Sequence, residues 1–359
     1  MKFLSFLVFF LSFSTLAQLK LEYISDLSIS SDNKLHGVLL GGLSGITKLH
    51  NDVYVAVSDD RGKHGVPRYY VLQITESDNK FTVVPKNWIE LKNENGKSFA
   101  DGDVDFEGIA KLANENILIS SEGDPRKDPK VGPSITEYTL SGKFVKNWPI
   151  SPKLLPTDKS GIRYNLSLES LAATEDGQYL FTVSEEPLLQ DGSELTHISG
   201  PVRIFRYKNG ELENEFVYMA SAFPRKGKKD KGNNGVVDIL ALSSNKILVL
   251  ERAYIENLNQ NVIKIFEVDL TEAQDVSKVD SLKNLKKKKI KIAKKKLVFD
   301  MAPLEGKLTG EMKRLDNIEG LTFGPTLATG ERTVVLVSDN NFSKNQRTLF
   351  VFLKLTGHQ

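Results

Sequence analysis

DFEGIAKLANENILISSEGD, residues 105–124, carries acidic residues near both ends, two apolar runs between them, and the turn signal NEN in the middle. It is one of five echoes. The others are GLSGITKLHNDVYVAVSDD (42–60), SLESLAATEDGQYLFTVSEE (167–186), GVVDILALSSNKILVLERA (235–253), and NIEGLTFGP with RTVVLVSDNNF (317–342). Aligned on their first acid or its substitute, the copies begin at Ser44, Glu107, Glu169, Asp238 and Glu319, spaced by 63, 62, 69 and 81 residues. A repeat of that length has room for four strands and their turns, the content of one propeller blade.

The second copy shows the plan most fully. FEGIAKL, NILISSE, SITEYTL and KFVKNWPI read as four strands, with NEN and SGK as turns between them. The fifth copy has GLTF, TVVLVSD and TLFVFLKL, and stops one strand short. LKLEYISDLSIS, at 19–30, supplies the missing strand and closes the ring, removing its open edges. The expected fold is all-β, a β-propeller of five four-stranded blades, or six if 269–316 holds another. Helical periodicity is confined to a turn around 272–280.

The chain opens MKFLSFLVFFLSFSTLAQ: a basic residue at Lys2, an apolar run, then Thr15-Leu16-Ala17. That order predicts a signal peptide over residues 1–17, too short to span a bilayer, leaving 18–359 as a single propeller domain. A periplasmic or secreted protein is expected. There is no cysteine, which excludes disulfides, thiolate metal sites and a cysteine-linked lipid anchor. The five histidines (His36, His50, His64, His197, His358) lack ligand spacing, which argues against zinc. No G-x-S-x-G elbow, P-loop or dinucleotide fingerprint is present.

The formal net charge of +2 conceals an asymmetry. Residues 225–231 hold five basic side chains and 283–296 hold nine, leaving 34 basic against 45 acidic residues elsewhere. Lysines of this kind guard an edge strand or make a weak contact with an anionic envelope surface. No aromatics are interleaved, so no nucleic-acid partner is expected. No oligomerisation signal is evident, and a monomer is expected.

In a blade, the first strand lies nearest the axis and the second runs antiparallel to it. The start of one and the end of the other therefore share one mouth of the channel. This predicts an inner ring of Ser44, Glu107, Glu169, Asp238 and Glu319, and a second ring of Asp59, Glu122, Glu185, Glu251 and Asp339. Nine converging carboxylates repel unless their pKa values rise, Arg intervenes or a cation binds. With oxygen ligands alone, Ca²⁺ is the best match and Mg²⁺ the second. Glu107, Glu169, Asp238, Glu319, Asp59, Glu251 and Asp339 are the expected metal ligands, and Asn317, Asn340 and Asn341 offer neutral oxygens. Ser44 breaks the inner ring and marks an expected entry side.

Arg61, Arg126 and Arg252 follow the second ring and suit a small anionic or phosphorylated ligand. These residues are consistent with a Ca²⁺-dependent phosphoesterase. Its cation polarises a phosphoryl oxygen and acidifies water, the three arginines neutralise charge, and Glu122 or Glu185 acts as base. The alternatives are a non-enzymatic binding propeller with structural calcium, or a lactonase or carboxylic-ester hydrolase using the same cation.

The motifs GLSGI, SDDR, EGIA, SSEGD, ESLA, SEE, LER, NIEGL and SDNNF occur in that order from Gly42 to Phe342. Together they resemble the phytase-like family described as "esterase-like activity of phytase", over nearly all of residues 18–359. The resemblance implies a secreted or periplasmic propeller that hydrolyses phosphate or other esters. Ser44 departs from the acid found at this position in the other EG-type copies.

Overall fold

The apolar runs of the echoes are buried on both faces, and strict alternation divides each between two neighbours. In β5 (Val53–Ser58), Val55 and Val57 pack toward Ile117 and Ile119 of the following blade, whereas Tyr54 and Ala56 pack toward Val335 and Val337 of the preceding one. A strand sandwiched between blades reads as a continuous apolar run although its side chains keep the period of two.

The computed structural model describes residues 18–357 except positions 197, 226, 228 and 311. The expected signal peptide lies outside the described residues, as does part of the 225–231 basic run. Five four-stranded antiparallel sheets form the ring. Blade 1 is β4 (Leu43–His50), β5, β6 (Arg68–Ser77) and β7 (Lys80–Glu90). Blade 2 is β8 (Phe106–Lys111), β9 (Ile117–Ser121), β10 (Ser134–Tyr138) and β11 (Phe144–Asn147). Blade 3 is β12 (Ala172–Ala173), β13 (Tyr179–Val183), β14 (Gly200–Lys208) and β15 (Glu211–Ala220). Blade 4 is β16 (Gly232–Ala241), β17 (Lys246–Ile255), β18 (Gln260–Asp269) and β19 (Lys294–Asp300).

Blade 5 joins the two ends of the chain. β20 (Asn317–Phe323), β21 (Arg332–Asp339) and β22 (Arg347–Thr356) are completed by β1 (Lys20–Ser30), paired from Lys20↔Thr356 to Ser30↔Arg347. A small hairpin, β2 (Lys34–Leu35) and β3 (Val38–Leu39), links β1 to blade 1.

The stretch 269–316 adds no sixth blade. Its Val276 and Leu282 pack against Val217 of β15, and its last strand, β19, is the outer strand of blade 4. The helical turn expected at 272–280 is absent, and a one-turn helix forms instead at Leu285–Lys288. This insert is pinned by the buried Arg203, which pairs with Asp191 (2.7 Å) and Glu215 (2.8 Å) and donates to the carbonyl of Val279 (2.9 Å). The lysines of 294–296 therefore lie on an edge strand.

The glycine after the first acid of the E-G motifs has a steric cause. A Cβ at Gly108 would lie 2.7 Å from the backbone nitrogen of Leu171, and one at Gly45 would lie 2.5 Å from the carbonyl oxygen of Glu107. The innermost strands crowd the axis, and only glycine permits that approach.

Candidate functional site

One backbone pairing sets the mouth in every blade. The amide of Asp59 donates to Gly42 O (2.9 Å), that of Glu122 to Asp105 O (3.0 Å), and that of Glu185 to Ser167 O (2.7 Å). Arg252 pairs with Gly235, and Asp339 with Asn317, at the same level of blades 4 and 5. Just beyond, the ladder shifts register at Leu43/Gly45, Phe106/Ile109, Val236/Asp238 and Ile318/Gly320. The residues skipped include Ser44, Glu107, Val237 and Glu319. A bulge of this kind re-aims a side chain next to a functional site.

This register corrects two expectations in blade 4. Val237, not Asp238, matches Glu107 and Glu319, and Arg252, not Glu251, matches Asp339. Asp238 lies one residue further in, where its carboxylate accepts the backbone N–H of Leu321 (2.6 Å) and straps blade 4 to blade 5. Glu251 faces away from the mouth cavity and is held by Tyr218 OH (2.6 Å), Lys295 (2.5 Å) and the amide of Ser221 (3.1 Å). A slip of one residue turns a strand's side chains to the opposite face.

The remaining acids converge. Glu107, Glu169, Glu185, Glu319, Asp59 and Asp339 line a cavity of about 560 Å³ at the mouth, together with Arg61 and Arg252. Oxygens of Asp105, Glu107 and Glu122 lie within 4.8 Å of one another, and so do those of Glu122, Glu169 and Glu185. Glu122 belongs to both groups. One of its oxygens accepts the amide of Ser167 (2.6 Å), while Oε2 is buried without a partner among the described residues. Glu185 Oε2 and Asp59 Oδ1 are likewise buried and unpartnered. Such atoms are costly unless something else satisfies them.

The electrostatics follow from this crowding. Burial sets the pKa of Glu185 at about 8, with Arg252 pulling it down and Glu186 and Glu319 pushing it up. Burial and Glu319 push Asp339 to about 8, and Glu319 itself stands at about 7 with Arg252 holding it down. Asp59, Glu107, Glu122 and Glu169 are raised well above the ordinary carboxylate range, by burial first and then by a neighbouring acid: Asp339 for Asp59, Asp105 for Glu107 and Glu122, and Glu185 for Glu169. Arg252 is the internal counter-charge, 3.1 Å from Glu319, and its Nε has no partner among the described residues.

Sequence reasoning missed Asp105, which forms an ion pair with Arg61. Its signal is position: two residues before Glu107 on an extended strand, on the same face. Arg61 also donates to Tyr164 OH (3.2 Å) and to Asn165. Arg126 is not drawn into the mouth. It is 58% exposed, pairs with Asp124 (2.9 Å) and stacks on the ring of Tyr164. Ser44 is no opening, since it is 2% exposed and its hydroxyl donates to Glu107. Asn317 donates to Glu319 (2.9 Å), Asn341 lines the cavity, and Asn340 is consumed in backbone contacts with Leu40 and Phe342.

Fold and mouth define a five-bladed propeller with a carboxylate-rich site at one end of its channel. The chain belongs to the phytase-like family described as "esterase-like activity of phytase", whose model matches residues 38–342. Similar solved structures include an endo-arabinase from Bacteroides thetaiotaomicron, 11% identical, covering 91% of this chain and 96% of that chain with a TM-score of 0.42. A PQQ-bound aldose sugar dehydrogenase from Streptomyces coelicolor is 10% identical, covering 94% of this chain and 99% of that one with a TM-score of 0.39. No curated protein matches the chain.

Proposed function

We propose that the protein is an extracytoplasmic hydrolase of phosphate esters that works with a divalent cation, Ca²⁺ by preference, at the acidic mouth. The observation that carries this reading is the pair of unpartnered buried oxygens, Glu122 Oε2 and Glu185 Oε2, beside a cavity that Arg252 also lines. The donor set fits a hard cation, because every candidate ligand is an oxygen and the acids outnumber the arginines. Asp105, Glu107 and Glu122, or Glu122, Glu169 and Glu185, would hold it. A bound cation supplies charge stabilisation at a phosphoryl oxygen.

The chain's own residues do the rest. Arg252 offers an unused Nε–H to a phosphate oxygen and neutralises part of its charge. Arg61, fixed by Asp105, borders the same cavity and adds positive potential there. With the cation held by Asp105, Glu107 and Glu122, Glu185 is free to act as its carboxylate: water attacks phosphorus as the ester P–O bond breaks, Glu185 takes the water's proton and returns a proton to the departing oxygen, and the products are an alcohol and phosphate. Asp238 and Glu251 take no part in this scheme, and Arg126 stays outside the cavity.

Inorganic phosphate released from a panel of phosphomonoesters, with Ca²⁺ or with chelator, tests the proposal. Release is expected with Ca²⁺ only, and it should fall at least a hundredfold in Glu122→Gln. Turnover that is indifferent to chelator, or no turnover of any ester, would refute it.

A further inference from the structure

The channel has a second cavity at its far end, about 350 Å³ in volume. The innermost strands run from the mouth toward it, and the C-terminal parts of β4, β8, β12, β16 and β20, one from each blade, line its walls. It shares no lining residue with the mouth cavity. The close approaches at Gly45 and Gly108 lie between the two, one residue beyond the hydrogen-bonded side chains of Ser44 and Glu107.

The lining differs in kind from that of the mouth. Leu49, Leu112, Leu171, Leu240 and Leu321 give the far cavity an apolar wall, and its volume lies within the roughly 300–1,000 Å³ of small-molecule sites. Three charged side chains accompany them, Lys48, Lys111 and Glu175, with an exposed His50. Two of the three charges are already balanced. Lys111 pairs with Glu115 (2.9 Å), and Glu175 pairs with Arg332 (2.7 Å), whose guanidinium stacks on the ring of Phe323 (3.9 Å). By engaging Glu175, Arg332 leaves the cavity's one acid unavailable to Lys48.

Lys48 is the charge left over. Its half-buried ammonium donates to the carbonyl of Gly324 (3.2 Å) and lies over the ring of Tyr54 (5.7 Å). An ammonium has three N–H groups to place, and among the described residues Lys48 forms no ion pair. Asp52 and Glu175 pull on it only from a distance, Arg332 repels it, and burial holds its pKa below the ordinary lysine value. A cation partly withdrawn from water gains more from an anion beside it than an exposed one does.

We propose that the far cavity binds a small monocarboxylate with an aliphatic chain, its head on Lys48 and its chain along the leucines. A single ammonium balances the one charge that a monocarboxylate brings, whereas a phosphate monoester brings nearly two. Leucine walls suit methylene groups and offer nothing to the hydroxyls of a polyol. The site is independent of the reaction proposed at the mouth and stands or falls without it.

Butanoate, hexanoate, octanoate and 1-hexanol are titrated into the full chain, followed by calorimetry and saturation-transfer NMR. Chelator is present throughout, so that no cation at the mouth can collect the carboxylates. Affinity should rise about fourfold with each methylene the cavity buries. Hexanol, which lacks the charge, should bind about tenfold more weakly than hexanoate. Lys48→Met keeps the stem and removes the ammonium, so hexanoate should fall to the affinity of hexanol while hexanol is unchanged. Glu122→Gln, at the mouth, should bind hexanoate as wild type does. The chain-length series and the hexanol comparison are read on wild type and need no variant to fold. No binding of any carboxylate, octanoate no tighter than butanoate, hexanol equal to hexanoate, or undiminished hexanoate binding in Lys48→Met would overturn the proposal. So would loss of hexanoate binding in Glu122→Gln, which would place the ligand at the mouth.

Discussion

Without a cation, the protein should lose stability as pH rises from about 4.5 to 8, and Glu185→Gln should remove much of that loss. The sign follows from linkage. A carboxyl group whose pKa is raised in the folded state binds its proton more tightly there than in the unfolded chain. Its stabilising contribution is therefore complete below the unfolded value and disappears as pH climbs through the folded one. Glu185 moves from 4.5 to about 8, a rise driven by burial and by Glu186 and Glu319 against the opposing pull of Arg252. At 1.36 kcal/mol per unit, this single group costs about 5 kcal/mol at pH 8. That is a large share of the roughly 5–15 kcal/mol that holds a domain together. Carboxylates whose pKa is lowered, such as Asp124 and Asp269, exert their effect below their ordinary value of 3.8 and do not oppose the slope in this window.

Urea denaturation of chelator-treated protein at pH 5 and pH 8 reads the effect directly. Wild type should be several kcal/mol less stable at pH 8, and Ca²⁺ should restore most of the difference by taking the place of the missing protons. Glu185→Gln keeps the shape of the side chain and should be more stable than wild type at pH 8, with little difference at pH 5. Equal wild-type stability at both pH values, or a Glu185→Gln protein weaker than wild type at pH 8, would refute the reasoning.

Three further outcomes follow from specific contacts. Gly108→Ala should cost about 1–3 kcal/mol in urea denaturation, because its Cβ would press on the backbone of Leu171. Arg203→Ala should cost about 3–5 kcal/mol and expose the 270–293 insert to proteolysis, since it strands the buried Asp191 and Glu215. Arg252→Met should lower kcat/KM for a phosphoester by about a hundredfold or more in a phosphate-release assay, and Arg252→Lys should recover only part of it because one ammonium cannot replace the planar fork.

The five blades and the closing N-terminal strand were legible because apolar runs, turns and acids recur together, and each copy supports the others. The mouth was legible in the copies that end in SDD, SEG, SEE and SDN, where a serine precedes the acid and fixes the phase. Blade 4 misled because its copy ends in LER. Matching acids by identity selects Asp238 and Glu251, while the ladder selects Val237 and Arg252, and with a side-chain period of two that slip exchanges faces. Asp105 was hidden for a related reason. It stands outside the repeated pair of acids, and its counterparts in the other blades are Gly42, Ser167, Gly235 and Asn317. Arg126 sits a few residues from Glu122 in sequence, but its loop turns outward to Asp124 and Tyr164.

Calorimetric titration of Ca²⁺ into the chelator-stripped protein near pH 7.5 tests the central claim most directly. Saturable binding to wild type is expected, with loss of that binding in Glu122→Gln, whose carboxylate belongs to both acidic groups, and unchanged binding in Glu251→Gln, whose carboxylate is turned toward Lys295. No binding heat with wild type, or binding that survives Glu122→Gln but fails in Glu251→Gln, would contradict it.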